Sequence, residues 1–156
     1  MQLEYFRMID RVAALHAEEK RMTCEARVPE KSTIFEGHFP GHPLMPGVLL
    51  VETMAQASGY LIMQLNNFTR MPFFIGADKV RLRQFVLPGD PLEVEAQLQH
   101  EGSGFAVTLA KIARAGEKIC EAQLKFRLMP FPNDEFIAAV RQQTDAIGLT
   151  KQVQTA

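Results

Sequence analysis

The chain has 156 residues, of which 47% are hydrophobic and 22% are charged, and its formal net charge is −1. These values are typical of one soluble domain with a sizeable core, and the near-neutral charge argues against a general nucleic-acid binder. The N-terminus lacks the apolar segment of a signal peptide. The two cysteines of the chain are therefore expected to be reduced thiols in a cytoplasmic protein. Polar residues, among them Glu52, interrupt the longest apolar run (residues 48–65), so no membrane span is predicted.

Alternating apolar and polar residues predict half-buried strands along most of the chain. In "RMTCEARV", for example, Met22, Cys24, Ala26 and Val28 share one face. Short glycine-containing turns between the later segments favour antiparallel connections. The predicted strands cover about residues 6–15, 21–28, 73–86, 91–99, 105–113 and 118–128.

Two helices are predicted, one central and one terminal. The central one begins at Pro46-Gly47 and is apolar nearly all round, so it should be buried. The terminal one runs from Asn133, a plausible N-cap, to Ile147, and Gly148 can end it. The expected fold class is α+β, with a sheet of about six antiparallel strands around one helix. Residues 1–130 form the predicted domain, and residues 131–156 a helical extension packed on it.

The segment "EGHFPGHPLMPGVLLVETMAQASG" (residues 36–59) joins a rigid loop to the central helix. Prolines and glycines within residues 37–46 oppose helix, so His38 should sit on a constrained loop. The amides of Gly47 and Val48 at the helix start would be unpaired and form a site for an oxyanion. Farther along, Glu52 and Gln56 share one helix face, so Gln56 can orient the carboxyl group.

These groups suit an elimination reaction next to a carbonyl. His38 would remove the proton α to the carbonyl, and Glu52 would protonate the departing hydroxyl. The amides of Gly47 and Val48 would stabilise the enolate-like oxygen. This chemistry needs neither a metal nor an organic cofactor.

Structural readings of the same residues stay open. A histidine in a Gly/Pro loop is often structural, and a glutamate in an apolar helix can simply pair with an arginine. His38 and His42 have a zinc-like spacing, but a His-x-x-x-His pair normally needs a helix, which the prolines exclude. His42 is therefore interpreted as stabilising the loop. Cys24 and Cys120 lie on apolar strand faces and are predicted to be core residues.

The long segment "GHFPGHPLMPGVLLVETMAQASG" resembles the signature of the 3-hydroxyacyl-[acyl-carrier-protein] dehydratases of type II fatty acid synthesis. Together with "ADKVRLRQFVLPGDPLEVE", the resemblance covers about residues 5–130. It implies the hotdog fold, catalytic roles for His38 and Glu52, a thioester-binding amide at Gly47 and a hydrogen-bonding role for Gln56. It also implies a homodimer with active sites shared between subunits, which can assemble further into a trimer of dimers.

The resemblance further implies an acidic acyl carrier protein as partner. Lys79, Arg81 and Arg83 are predicted on one face of a strand, where they could contact the carrier or form an ordinary solvated face. Tyr60, Leu61 and Met63 could line an acyl tunnel or belong to the core.

Two departures from the family concern the ends of the chain. A His-Arg-Tyr-Pro-like segment near the N-terminus is missing, and the tail after Pro130 is longer than usual. Both changes could alter the acyl tunnel or its mouth. This form resembles branches that serve a specialised carrier protein, such as those that make very long acyl chains for lipid A. The alternatives to a dehydratase are a hotdog acyl thioesterase and a non-catalytic acyl-carrier-binding module.

Overall fold

The computed structural model describes residues 1–153, with side chains through Lys151. A 3-10 turn at Leu3–Tyr5 precedes the first strand, and four helices and six strands follow. The helices are α1 Thr33–Gly37, α2 Gly47–Leu65, α3 Asp134–Ala146 and α4 Leu149–Val153. The strands are β1 Arg11–His16, β2 Arg21–Arg27, β3 Met71–Leu82, β4 Pro91–Gly102, β5 Phe105–Arg114 and β6 Glu117–Met129.

All six strands form one antiparallel sheet in the order β1-β2-β4-β5-β6-β3. The burial pattern agrees with the predicted alternation of apolar and polar residues: in β4, every second residue from Leu92 to Leu98 is buried. The prediction of an α+β hotdog fold with one central helix is confirmed. The predicted start of the first strand is wrong, since residues 3–5 form the 3-10 turn and Phe6 has φ 53°. The short helices α1 and α4 were not predicted as separate elements.

Helix α2 lies against the sheet and supplies much of the core. Its fully buried side chains include Met54, Leu61 and Ile62. Ser58 and Thr108 are also fully buried, and the Thr108 hydroxyl donates to the Ser58 oxygen at 2.8 Å, so neither polar group is left unpaired.

By length and composition alone, α2 could cross a membrane. Half of this stretch is buried inside the protein, as in the core helix of a water-soluble fold.

The terminal helix α3 has the predicted ends. The Asn133 side chain accepts a hydrogen bond from the Phe136 amide at 2.8 Å, as an N-cap does. After the helix, Gly148 adopts φ +80°, a conformation that glycine adopts without a steric penalty. Leu149 of α4 is fully buried in the main hydrophobic cluster. Residues 154–156 of the predicted extension lie outside the described residues.

Candidate active site

The loop that carries His38 is fixed by backbone hydrogen bonds on both sides. The His38 amide donates to the Ile34 carbonyl at 3.0 Å, which ends α1. The Leu44 amide donates to the His38 carbonyl at 2.8 Å. Between them, Phe39 and His42 exchange a pair of backbone hydrogen bonds of 3.0 and 2.9 Å. The segment is therefore rigid, as the prolines and glycines predict, and His42 takes part in the turn through its backbone.

The His38 ring is oriented by the same loop. Its Nδ1 lies 3.0 Å from the Leu44 carbonyl oxygen, an acceptor, so Nδ1 carries the proton of the neutral ring. The ring stacks on Phe39 with 4.4 Å between the ring centroids. Nε2 is then left with a free lone pair, which is the form of imidazole that a general base requires.

At the start of α2, two backbone amides are available to a ligand. The amides of Leu49 and Leu50 donate to the Pro46 carbonyl, whereas those of Gly47 and Val48 have no protein acceptor among the described residues. Leu82 packs so closely on Gly47 that a methyl group there would overlap its Cδ1 atom. Glycine thus leaves room for both the neighbouring leucine and an approaching carbonyl oxygen.

Gln56 connects Glu52 to the N-terminal segment. Its Nε2 donates to Glu52 Oε1 at 2.9 Å and to the Phe6 carbonyl at 2.6 Å. Its Oε1 accepts from the Met8 amide at 3.0 Å. The side chain amide is therefore held at both ends, and it fixes one oxygen of the half-buried Glu52 carboxyl group. The sequence predicted the contact of Gln56 with Glu52. It did not predict the contacts with the backbone of Phe6 and Met8, because a backbone group can be a partner whatever the residue type.

A groove of about 860 Å³ runs along one face of α2. Across it lie Phe6, Phe74 of β3, Phe126 of β6 and residues of α3. Of the predicted tunnel residues, Leu61 is buried in the core instead. Burial raises the pKa of the Tyr60 hydroxyl above its ordinary value. The residues that α2 contributes to the groove are Glu52, Ala55, Gln56, Gly59, Tyr60 and Met63.

The structure brings Glu52 and Gln56 together but does not place His38 with them. His38, Gly47 and Val48 do not line the groove that contains Glu52. Helix α3 does line it. The longer tail was expected to affect the acyl tunnel or its mouth, but the residues of α3 that face the groove depend on how the terminal helix folds back.

The predicted basic stripe is exposed but irregular. The pairing of β3 with β6 shifts between Asp78 and Arg81, and Lys79 there has φ 53°, so strict alternation is interrupted. Arg83 lies 2.5 Å from Glu121, which also pairs with Lys118. The hydrogen bonds from Lys118 and Arg83 lower the pKa of Glu121 to about 2. Arg83 is thus already partnered within the chain.

Neither the cysteines nor the histidines form a second reactive centre in the described part of the chain. Cys24 and Cys120 are buried and unpaired, and burial raises their pKa values to about 12 and about 11. The prediction that both are core residues is confirmed. Among the described residues, no three His, Cys, Asp or Glu side chains are grouped so as to hold a metal ion.

Comparisons with known proteins agree with the signature. The model of the FabA-like domain matches residues 1–123. The chain is 38% identical over 128 residues to the 3-hydroxyacyl-[acyl-carrier-protein] dehydratase FabZ of Listeria welshimeri, covering 81% of this chain and 88% of the relative. It is 41% identical over 122 residues to FabZ of Oenococcus oeni, covering 76% of this chain and 86% of that one.

Among solved structures, a hypothetical protein from Staphylococcus aureus shares the fold with a TM-score of 0.65 at 14% identity. The match covers 84% of this chain and 100% of the other. At that identity the likeness concerns the fold alone. The family model and the two relatives decide the family: the chain belongs to the FabZ-like 3-hydroxyacyl-[acyl-carrier-protein] dehydratases, enzymes built on the FabA-like hotdog domain.

Proposed function

We propose that the chain removes water from 3-hydroxyacyl-[acyl-carrier-protein] to give the trans-2-enoyl thioester, with His38 as base and Glu52 as acid. The observation that carries the proposal is the hydrogen bond from His38 Nδ1 to the Leu44 carbonyl, which leaves Nε2 free to accept a proton. The dehydratase names of the relatives support the same reaction.

In this mechanism each group has one task. His38 Nε2 takes the proton from C2, and the electron pair of that C–H bond becomes the new double bond between C2 and C3. The C3–O bond breaks, and Glu52 gives its proton to the departing oxygen, so that water leaves. The amides of Gly47 and Val48 bind the thioester oxygen while negative charge builds on it. General acids and bases supply about 10²–10⁴-fold each, and an oxyanion donor about 10²–10³-fold.

We further propose that the active site is shared across a homodimer. His38 does not line the groove of Glu52 within one chain, so a second chain is the natural source of the missing group. Strand β3 is an edge of the sheet and exposes Phe73 and Ile75, at 55% and 50% of their surface. Phe85, just after β3, is 76% exposed, and Val48, next to the Gly47 that packs on Leu82, is 74% exposed. An edge with exposed apolar side chains is a surface that a second copy can cover.

The acyl carrier protein is the proposed partner, and the reaction is assigned to fatty acid or lipid A acyl-chain biosynthesis in the cytoplasm. Lys79, Arg81 and Arg83 are exposed and can attract an acidic carrier. Because Arg83 is paired with Glu121, its contribution depends on exchanging that carboxylate for one of the carrier.

Mass spectrometry of a 3-hydroxyacyl carrier thioester tests the reaction directly. The wild type should convert it to a species lighter by one water, His38→Ala should not, and His42→Ala should behave as the wild type. His42 is a matched control because it lies in the same loop with an exposed side chain. Release of free carrier thiol would identify a thioesterase, and unchanged substrate would favour an acyl-binding module.

A further inference from the structure

The groove beside Glu52 is long enough for an acyl chain. Its α2 face extends from Glu52 to Met63, which at about 1.5 Å per residue spans about 16 Å. That length is about half of the roughly 30 Å hydrocarbon core of a bilayer, and so about the depth of one leaflet of lipid chains. The groove begins at the predicted proton donor, where C3 of a bound substrate must lie.

Helix α3 forms the outer wall of this groove. It presents Phe136, Ala139, Val140, Gln143 and Ala146, which recur at the spacing of one helix face. Phe136 is still 43% exposed in the chain, and Val140 is half-buried. Apolar side chains that line an open groove lose contact with water when an apolar ligand enters.

The position of α3 is fixed by contacts that need no ligand in the groove. The Val12 amide donates to the Ile147 carbonyl at 2.8 Å, which ties the end of the helix to β1. The Arg141 guanidinium lies 4.7 Å from the centroid of the Phe68 ring, just after α2. Leu149 is buried in the core. The helix is thus anchored while its groove face stays open.

We infer that α3 is a specificity element whose residues Phe136 and Val140 contact the distal part of the acyl chain and favour long-chain 3-hydroxyacyl thioesters. The inference rests on the proposed function, because it places that substrate in the groove. Each methylene that packs against this wall should add about fourfold to kcat/KM.

The test measures kcat/KM for a short-chain and a long-chain 3-hydroxyacyl carrier thioester with the full chain. Val140→Trp fills the groove, and Val140→Asp places a charge in it. Ala138→Trp and Ala138→Asp are the matched controls, since Ala138 is exposed on the same helix and does not line the groove. Both Val140 variants should lower the ratio of long-chain to short-chain kcat/KM by about tenfold or more, and the Ala138 variants should keep the wild-type ratio.

A wild-type ratio in both folded Val140 variants, with dehydration intact, would overturn the inference alone. An equal loss in the Ala138 variants would also overturn it, because the effect would then come from the helix and not from the groove. A wild type that dehydrates neither substrate would overturn the proposed function as well.

Discussion

Replacing Gln56 with leucine tests whether this residue orients Glu52, the proposed acid, or only stabilises the fold. Gln56→Leu keeps a similar volume but removes the bonds to Glu52 Oε1, the Phe6 carbonyl and the Met8 amide. The two backbone partners lose a hydrogen bond worth about 1 kcal/mol each. A destabilisation of about 2 kcal/mol follows, which should lower Tm by about 4–8 °C in a chain of this size. Loss of the bond to the Glu52 carboxyl costs a further 1.5 kcal/mol or so in orientation, or about tenfold in kcat.

The assay pairs thermal unfolding with kcat, measured from the absorbance of the enoyl thioester well below Tm. Gln64→Leu is the matched control, because Gln64 lies on the same helix and its side chain makes no hydrogen bond in the described part of the chain. It should change Tm and kcat little. If Gln56→Leu loses stability but keeps kcat within about twofold, Gln56 supports the N-terminal segment and does not position the acid.

Three further outcomes are expected. Equal amounts of inactive His38→Ala and Glu52→Ala chains should regain about one quarter of wild-type activity after subunit exchange. Half of the dimers are then mixed, and each mixed dimer has one intact site. No recovery in verified mixed dimers would refute shared sites. Cys24 and Cys120 should resist a thiol reagent until the protein unfolds. Because burial raises both pKa values above the ordinary 9.0, the free energy of unfolding from denaturation curves should fall as pH rises from about 9 towards 11–12. Arg83→Ala should raise KM for the carrier thioester by up to about fivefold at low salt and less at high salt; a salt-independent KM would argue against the predicted carrier contact.

Much of the fold could be predicted because the signal is local. Alternating apolar residues along β2 and β4 directly predict half-buried strands. The apolar segment that starts at Pro46-Gly47 likewise predicts a buried helix. The first strand was misplaced because Leu3, Met8 and Ile9 are buried without a period of two, in a turn and an irregular segment. Such a segment is shaped by tertiary packing and not by its own propensity.

The candidate site residues could be proposed from the sequence because they lie within one stretch of chain. His38, Gly47 and Glu52 belong to one motif whose loop and helix set their positions. The bulge near Lys79 could not be read from the sequence, because an extra residue in a strand depends on pairing with its neighbour. The longer tail was expected to affect the acyl tunnel, but the side chains of α3 that face the groove could not be predicted, because they depend on how the helix packs.

The buried hydrogen bond between Ser58 and Thr108 influences the direction in which the Glu52 side chain points. Packing of apolar side chains has little directional preference, so a helix held by packing alone can settle at several neighbouring rotations about its axis. A hydrogen bond between two buried hydroxyl groups breaks when the helix rotates about its axis. Both groups are then buried without a hydrogen-bond partner, which is unfavourable. The pair therefore fixes the rotation of α2 about its axis, and with it the direction in which Glu52, about 1.7 turns earlier, points its free oxygen.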